Sequence, residues 1–183
     1  MTVDRGQVLR AAAALLTRKS TASMDEIARA AGISRATLHR QFAGRDALIR
    51  ALEELCIEQL QGALDGARLE QGDPVEALRR LVAATHPVAG FLAFLYTENQ
   101  LFEGEEIHEG WARLDARVAA LFRRGQEEGA IRLDLTPAWL TEALYGLVAA
   151  GAWAVQDGRV AANDMDYMVI ELLLGGARRS TDR

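Results

Sequence analysis

The sequence predicts an all-α protein of about nine helices, and three observations support this prediction. Half of its 183 residues are apolar, whereas only 6% are aromatic. The strong helix formers Ala, Leu, Glu and Arg dominate, and strictly alternating runs of Val, Ile and Thr are absent. Two of the three prolines, Pro74 and Pro137, follow Asp73 and Thr136, as is typical of a helix start.

Three short helices are predicted at the start of the chain. Residues 4–19 repeat apolar side chains at helical spacing. Ser23 and Glu26 form the S-x-x-E pattern of a capping box, which marks the start of a second helix. Gly32 supplies the left-handed residue that ends this helix, and Ser34 is expected to cap a third one.

Six further helices are predicted in the remainder, because apolar segments there are separated by Gly, Pro and capping residues. The predicted segments are a long helix from Gly44 to about Gly72, followed by 74–86, 88–102, 111–126, 137–156 and 164–174. The acidic segment from Glu103 to Gly110 contains glycines and is predicted as a loop. A boundary in the long helix divides the chain into a head, residues 1–48, and a body, residues 49–183.

Charge is distributed unevenly between the two ends of the chain. The total of −5 argues mildly against a generic nucleic-acid binder. Residues 1–50, however, hold nine basic and four acidic residues, and the remainder holds 12 basic and 22 acidic residues. The resulting charges of +5 and −10 are typical of a basic head that faces DNA on an acidic body. The alternative is a chance clustering of surface charge.

The third predicted helix exposes a face suited to DNA. On a helical wheel with Leu38 pointing to the core, Ser34 and Phe42 also lie on the inner side. The outward face consists of Arg35, Ala36, Thr37, His39 and Arg40. Arg binds a guanine edge through two hydrogen bonds, and Thr and the small Ala permit close approach to a thymine methyl group. Because such a helix pair places one helix in the major groove, we predict a sequence-specific DNA-binding head.

The same segment offers contacts to the phosphate backbone. His39, Arg45 and the free amides at Ser23 and Ser34 are the candidates for these contacts. Residues 27–45 contain four arginines and no acidic residue, whereas an ordinary surface helix usually mixes in Glu or Asp. The alternative is a three-helix cap that packs but binds nothing.

These residues resemble the N-terminal domain of the TetR (tetracycline-repressor-like) family of bacterial regulators. The family pattern is an apolar residue and Ala in helix two, then A-G-V-S, a variable pair, T-L-Y, two variable residues, F, and later K-x-x-L. The matching segments are Ile27–Ala28, Ala31–Gly32–Ile33–Ser34, Thr37–Leu38–His39, Phe42 and Arg45–Asp46–Ala47–Leu48. His39 stands where the family usually has a phosphate-contacting Tyr, and Arg45 stands where it has Lys. Both replacements keep a possible hydrogen-bond donor.

The last two predicted helices carry more apolar surface than one subunit readily covers. Helix 137–156 is apolar almost all round. Helix 164–174 has an apolar side made of Met165, Met168, Val169, Leu172 and Leu173. We therefore predict a homodimer through these two helices, which would bind a palindromic operator in double-stranded DNA. The alternative is burial of both helices within one subunit.

The resemblance implies an effector pocket between the middle helices of the body. The candidate lining residues are His86, Phe91, Phe94, Phe102, Trp111, Leu114 and Tyr145. They would form a mostly aromatic cavity for a small apolar or aromatic effector. For each aromatic residue alone, the ordinary core is the alternative, and His86 also fits a helix end. The resemblance further implies a repressor whose heads separate beyond the spacing of one DNA turn when effector binds.

Other functional classes find less support. Within DNA binding, the alternative is an activator or a regulator controlled by a partner protein. The alternative from another class is an all-helical enzyme, but no Ser/His/Asp arrangement or Gly-rich phosphate loop occurs. Glu105 and His108 have E-x-x-H spacing, but a metal site of that kind needs two copies on helices. We therefore predict neither a metal nor another cofactor.

The sequence predicts a cytoplasmic protein without membrane contact. No secretory leader opens the chain, and its longest apolar run, Ala143 to Val155, covers 13 residues. A membrane-spanning helix needs about 20. The single Cys56 excludes an intrachain disulfide and is expected to be a buried structural thiol.

Overall fold

The computed structural model describes residues 4–97 and 105–178. Within these ranges the chain forms nine α-helices and two single-turn 3-10 helices, and its one β contact is a bridge between Ile131 and Arg178. The α-helices are α1 Arg5–Arg18, α2 Met24–Ala30, α3 Arg35–Gln41, α4 Arg45–Ala67, α5 Pro74–Thr85, α6 Ala89–Thr97, α7 Glu105–Glu127, α8 Pro137–Gln156 and α9 Met165–Ala177. The prediction of an all-α fold is confirmed.

Capping residues start the body helices α5 and α8 where the sequence predicts them. The Asp73 carboxylate accepts hydrogen bonds from the backbone N–H groups of Val75 and Glu76 at 2.9 and 3.0 Å. The Thr136 hydroxyl oxygen accepts one from the backbone N–H of Trp139 at 3.2 Å. A proline follows each cap at the first helical position, where a missing N–H costs no helical hydrogen bond.

Helix α4 ends earlier than predicted, at Ala67 instead of near Gly72. Arg68 adopts a left-handed conformation with φ 49° and ψ 61°, and this stops the helix. Arg80 of α5 binds the helix end: its Nε donates to the Ala67 carbonyl at 2.8 Å, and its Nη2 donates to the Arg68 carbonyl at 3.2 Å. This contact from a later helix stabilises an end that no local sequence signal marks.

Helix α7 begins at Glu105, so the prediction of a loop up to Gly110 is wrong over its described part. Gly110 lies inside the helix, where an added Cβ would come within 2.9 Å of the Ile57 Cδ1 atom on α4. The glycine therefore permits close packing of α7 on α4 and does not interrupt the helix. Among the described residues, no group of three or more His, Cys, Asp or Glu side chains is arranged to hold a metal ion.

The helices pack as a head and a body that share α4. In the head, α1 packs against α2 and α4, and α2 packs against α3. In the body, α8 contacts α6, α7 and α9, while α5 contacts α4, α7 and α9. A second connection joins the two parts, because α1 of the head also packs against α6 of the body. The bulkiest fully buried side chains are Phe42 in the head and Phe122 in the body.

Cys56 is buried on α4, as expected of a structural thiol. Burial raises the pKa of the Cys56 thiol to about 12, and the negative charge of Glu53 adds to the shift. The thiol therefore stays protonated near neutral pH, and protonated thiols are poor nucleophiles.

Helix α8 is long and apolar enough to cross a membrane by length and composition alone, and it is the one such helix in the described part of the chain. One of its sides is buried in the core through Leu140, Leu144 and Val148. Its other side includes the exposed apolar residues Trp139 and Trp153.

Candidate DNA-binding surface and effector cavity

A capping box holds the start of α2. The Ser23 hydroxyl oxygen accepts a hydrogen bond from the backbone N–H of Glu26 at 3.3 Å, and the Glu26 carboxylate accepts one from the backbone N–H of Ser23 at 2.9 Å. The Lys19 Nζ atom lies 2.6 Å from the same carboxylate. The hydrogen bond from Lys19, followed by those from Ser23, lowers the pKa of Glu26 to about 2. The predicted capping box is confirmed, and its acid is charged at neutral pH.

A tight turn and two buried side chains orient α3. Gly32 has a φ of 68°, a conformation that residues with a Cβ rarely adopt, and this turn separates α2 from α3. Leu38 and Phe42 are 0% and 2% exposed and belong to the same core as Ile27 of α2. The opposite side of α3 therefore faces solvent. Its exposed members are Arg35, Ala36, His39 and Arg40, and Thr37 is half-buried.

The side chains of Ser34, which caps α3, and of Thr37 and Arg40 within α3 form a continuous hydrogen-bond chain. The Ser34 hydroxyl oxygen accepts from the backbone N–H of Thr37 at 3.1 Å and caps the helix. The Ser34 and Thr37 hydroxyl groups lie 2.9 Å apart, and Arg40 Nη2 donates to the Thr37 hydroxyl oxygen at 3.1 Å. Because the guanidinium can only donate, the two hydroxyl groups share one remaining O–H donor for an outside acceptor.

Arg35 is held from the neighbouring helix by Asp25. The Asp25 Oδ1 atom lies 3.2 Å from Arg35 Nε, and Asp25 Oδ2 accepts a hydrogen bond from Arg35 Nη1 at 3.3 Å. Sequence reasoning missed this partner. The available signal was the position of Asp25 in the first turn of α2, two residues after the capping residue Ser23.

Arg45 connects α4 to the loop before α2. Its Nη1 atom donates to the Ala22 carbonyl at 2.8 Å, and its Nη2 atom donates to the Ser20 carbonyl at 2.8 Å. The side chain that the resemblance assigns to phosphate binding therefore also stabilises the packing of the head. His39 lies exposed on α3, near its end.

A narrow cavity of about 10 Å³ lies between five body helices. Its wall is formed by Leu60, Leu64, Leu81, Thr85, Leu92, Leu114, Leu144, Tyr145 and Val148. The wall is thus mainly aliphatic, with the hydroxyl-bearing Thr85 and Tyr145 as its two polar side chains. The Thr85 hydroxyl donates to the Val82 carbonyl of its own helix at 2.9 Å.

Two of the predicted pocket residues, Leu114 and Tyr145, line this cavity. Phe91 and Phe94 are instead buried core residues whose rings stack at 6.3 Å between centroids. His86 lies at the end of α5, where its Nδ1 atom is 2.7 Å from the Asp166 carboxylate of α9. Two predicted pocket residues remain. Trp111 is half-buried and packs against the core outside the cavity wall, and Phe102 lies outside the described residues.

A carboxyl group lies behind the Tyr145 side of the wall. Burial raises the pKa of Asp115 on α7, and the negative charge of Glu142 raises it further, while a hydrogen bond from Tyr145 lowers it. Asp115 of α7 thus interacts with Tyr145 of α8, a residue of the cavity wall. Leu114, the neighbour of Asp115 in sequence, lines the cavity itself.

The exposed apolar side chains concentrate on the last two helices. Five of the six large apolar residues exposed in the described part of the chain lie there: Trp139, Trp153, Tyr167, Met168 and Leu172. Gly146, on α8 between the two tryptophans, would place an added Cβ in open space. Small residues between bulky ones allow a second helix to approach closely.

A capped helix, a glycine turn and a short helix with outward-pointing arginines define a helix-turn-helix regulator of transcription. Comparison with known proteins supports this class. Residues 8–52 match the bacterial regulatory proteins of the tetR family. The HTH-type transcriptional regulator NfxB of Pseudomonas aeruginosa is 34% identical over 174 residues, which cover 93% of this chain and 92% of NfxB. The chain belongs to the TetR family of bacterial transcriptional regulators.

A second relative is similar in both sequence and structure. The HTH-type transcriptional repressor LfrR of Mycolicibacterium smegmatis is 28% identical over 171 residues, which cover 93% of this chain and 89% of LfrR. The crystal structure of LfrR from Mycobacterium smegmatis in complex with proflavine superposes with a TM-score of 0.79 at 26% identity, covering 96% of this chain and 98% of that one.

These similarities establish the general function. TetR-family regulators bind operator DNA and small-molecule effectors, act as dimers and are not enzymes. The predicted sequence-specific DNA-binding regulator is confirmed, and the alternative of an all-helical enzyme is excluded.

Proposed function

We propose that the chain is a dimeric repressor that binds a palindromic operator and leaves it when a small apolar or aromatic effector binds. The outward face of α3 is the observation that carries this proposal. It presents two arginines, Arg35 and Arg40, in defined positions on a helix with no acidic residue of its own. This is the chemistry that reads guanine edges in the major groove.

The head residues divide into base readers and phosphate contacts. Arg35 and Arg40 read guanine, and Ala36 and Thr37 lie close enough to the bases to meet a thymine methyl group. The phosphate contacts are His39, Arg45 and the helix starts at Ser23 and Ser34. Arg45 donates two of its five N–H groups to the Ser20 and Ala22 carbonyls, and these bonds hold its charge at the start of α4.

The head of residues 1–48 and the body of residues 49–183 act as separate units joined by α4. The exposed apolar side chains of α8 and α9 form a stripe made of Trp139, Trp153, Tyr167, Met168 and Leu172, whereas Met165, Val169 and Leu173 on α9 are buried within the subunit. This stripe pairs with the same stripe of a second copy, which gives the complex a twofold axis and its operator a palindromic sequence. This pairing covers the exposed side of α8, so the apolar character of the helix needs no membrane. We place the dimer in the cytoplasm, where it has access to the chromosome.

The cavity between α4, α5, α6, α7 and α8 is the effector site. Its aliphatic wall suits an apolar or aromatic compound, and the structurally similar LfrR is known in complex with proflavine. Because the cavity is narrow, a compound with several rings must part its walls. Leu92 of the wall lies on α6, and α6 packs against α1 of the head where Gly90 meets Thr17. Movement of α6 on effector binding therefore reaches the head.

Selection of bound duplexes from a random pool tests the DNA-binding half of this proposal. We expect enrichment of one palindrome, with binding that weakens as salt increases. Aromatic and aliphatic compounds are then screened for release of that palindrome. A pool without enrichment would contradict the proposal, and an enriched palindrome that no compound releases would contradict its effector half.

A further inference from the structure

We infer that Asp25 is a specificity-determining residue, which holds Arg35 in the conformation that reads the operator and disfavours binding to other DNA. This inference rests on the proposed function. Asp25 lies in the first turn of α2 and Arg35 is the first residue of α3. The pair spans the turn between the two helices, with the Asp25 carboxylate 3.2 Å from Arg35 Nε and 3.3 Å from Arg35 Nη1.

The position of this pair suggests a role in recognition more than in folding. Both side chains are largely exposed, at 66% for Arg35 and 53% for Asp25. Exposed ion pairs of this kind contribute little to stability. In contrast, reading helices contact bases with their N-terminal residues, and Arg35 occupies the first position of α3.

The contacts restrict the guanidinium group while leaving part of it for a base. Arginine carries five N–H donors on a long side chain with many rotamers. Asp25 accepts a hydrogen bond from Nη1 and lies close to Nε, and the Arg35 side chain stays 66% exposed. A side chain held in place before binding loses less conformational entropy when it binds, so its hydrogen bonds to a matching base contribute more to affinity. Arg40 is held in a comparable way by Thr37.

Asp25 also supplies a charge that acts against unselective binding. Its carboxylate is exposed on the head that faces phosphate, so it repels the DNA backbone whatever the base sequence. The other acid in this turn, Glu26, is paired with Lys19 and the Ser23 backbone. When Arg35 engages its matching base, the gain offsets the repulsion by Asp25. On random DNA the repulsion acts without this gain, so such binding is weak. Because the repulsion is the same for every sequence, the affinity ratio itself is set by the positioning of Arg35.

The experiment compares Asp25→Asn with the wild-type chain by fluorescence anisotropy. Affinities are measured for the selected palindrome and for a scrambled duplex, at two salt concentrations. We expect Asp25→Asn to bind scrambled DNA about twofold to threefold more tightly, because one repulsive charge is removed. We expect the ratio of operator affinity to scrambled affinity to fall about 10-fold, within the range for one base contact.

Asp46→Asn is the matched control, because it removes an equally negative and exposed side chain from the head without touching Arg35. It should strengthen binding to both duplexes equally and leave the affinity ratio unchanged. Arg35→Ala by itself should lower the ratio of operator affinity to scrambled affinity. The double variant with Arg35→Ala and Asp25→Asn should show no further decrease in this ratio. Asp25→Glu, which keeps the carboxylate, should retain part of the wild-type ratio. Circular dichroism checks that each variant is folded.

Base preference gives an independent measurement that a purely structural role would not change. In selections from a random pool, Asp25→Asn and Arg35→Ala should lose preference at the same base position. The inference fails if Asp25→Asn keeps the wild-type ratio, or if it behaves like Asp46→Asn. A wild-type chain that does not discriminate between duplexes would instead overturn the proposed function together with this inference.

Discussion

Five side chains of α3 form the outward face of the head, whereas nine side chains from five helices enclose the cavity of the body. The two sites differ in what holds their residues in place. In the head, polar contacts such as Asp25–Arg35 and Thr37–Arg40 join residues within ten positions of each other. In the body, the cavity residues run from Leu60 to Val148 and meet only through tertiary packing. A short segment therefore encodes recognition of DNA, while recognition of the effector depends on the whole body.

The largest loss of DNA affinity is expected from a substitution in the body that dissociates the dimer, because a monomer has only one DNA-binding head. Leu172→Glu places a charge in the apolar stripe of α9, where the native side chain is 68% exposed. The monomer should fold, but the dimer should dissociate, because the two charges would meet at the interface. Affinity for the palindrome should fall by about 100-fold or more, since linked binding sites gain that much from acting together.

Analytical ultracentrifugation and anisotropy measure this outcome, with Leu133→Glu as the control. Leu133 is 71% exposed but lies before α8, outside the stripe. This variant should stay dimeric with unchanged affinity. A Leu172→Glu chain that is monomeric and still binds the palindrome at full strength would show that the head is sufficient by itself.

Within the head, a base reader and a phosphate contact should respond differently to alanine. Arg40→Ala removes a guanidinium from the reading face and should reduce operator selectivity by about 5-fold to 150-fold, as expected for one bidentate base contact. Thr37→Ala, which removes the hydroxyl that positions Arg40, should act in the same direction. Arg45→Ala should weaken binding to operator and scrambled duplexes equally.

The structure adds a second expectation for Arg45→Ala. Because its guanidinium donates to the Ser20 and Ala22 carbonyls, this variant should also lower the melting temperature, whereas Arg40→Ala should not. Anisotropy and thermal denaturation provide both measurements. Equal loss on operator and scrambled DNA for Arg40→Ala, Thr37→Ala and Arg45→Ala would remove the proposed division of roles.

A substitution in the cavity wall tests the effector site of the body without changing the head. Val148→Phe adds more volume than the cavity holds and therefore closes it from α8, while its neighbour Leu147 is half-buried and is not part of the wall. We expect Val148→Phe to raise the effector concentration needed for release of the palindrome by about 10-fold, with unchanged DNA affinity. Leu147→Phe is the matched control and should respond like wild type. Equal effects of the two variants would mean that the effector binds elsewhere.

The contrast between head and body explains how much the sequence predicts. The capping box at Ser23, the turn at Gly32 and the inward side of α3 each depend on residues three or four positions apart, and all three are confirmed. Their patterns are local, so periodicity and capping rules describe them well. The contact from Asp25 to Arg35 crosses a turn, and no periodic pattern marks it.

In the body, residue type predicts burial but not position. Phe91 and Phe94 are buried as expected of aromatic residues, yet they stack on each other outside the cavity wall. Leucines that look like ordinary core residues, such as Leu60 and Leu81, form the wall instead. The same limit applies to Gly110, which resembles a helix breaker but packs inside α7 against Ile57. These positions depend on how the helices cross in the folded protein. The helical spacing of apolar residues in the sequence carries little information about these crossings.

The smallest expected effect is on stability as a function of pH. An acid in the head and an acid in the body should contribute to stability with opposite signs. The folded state lowers the pKa of Glu26 from 4.5 to about 2, so this acid stabilises the head above pH 4.5 and its contribution is lost as the pH falls toward 2. The pKa of Asp115 is raised above 3.8 by burial, so its charge opposes folding at neutral pH. That cost disappears as the pH falls below 3.8 and the carboxyl is protonated in both states.

Neutral side chains at these two positions should therefore shift the melting temperature in opposite directions. At pH 7 we expect Asp115→Asn to raise it and Glu26→Gln to lower it, each by about one or two degrees. At pH 3 the increase from Asp115→Asn should have vanished, whereas Glu26→Gln should retain part of its decrease because the pKa of Glu26 is lower still. Scanning calorimetry at several pH values measures both. Asp115→Asn keeps an oxygen that can accept the Tyr145 hydrogen bond, so a decrease at pH 7 would mean that the charge itself favours folding.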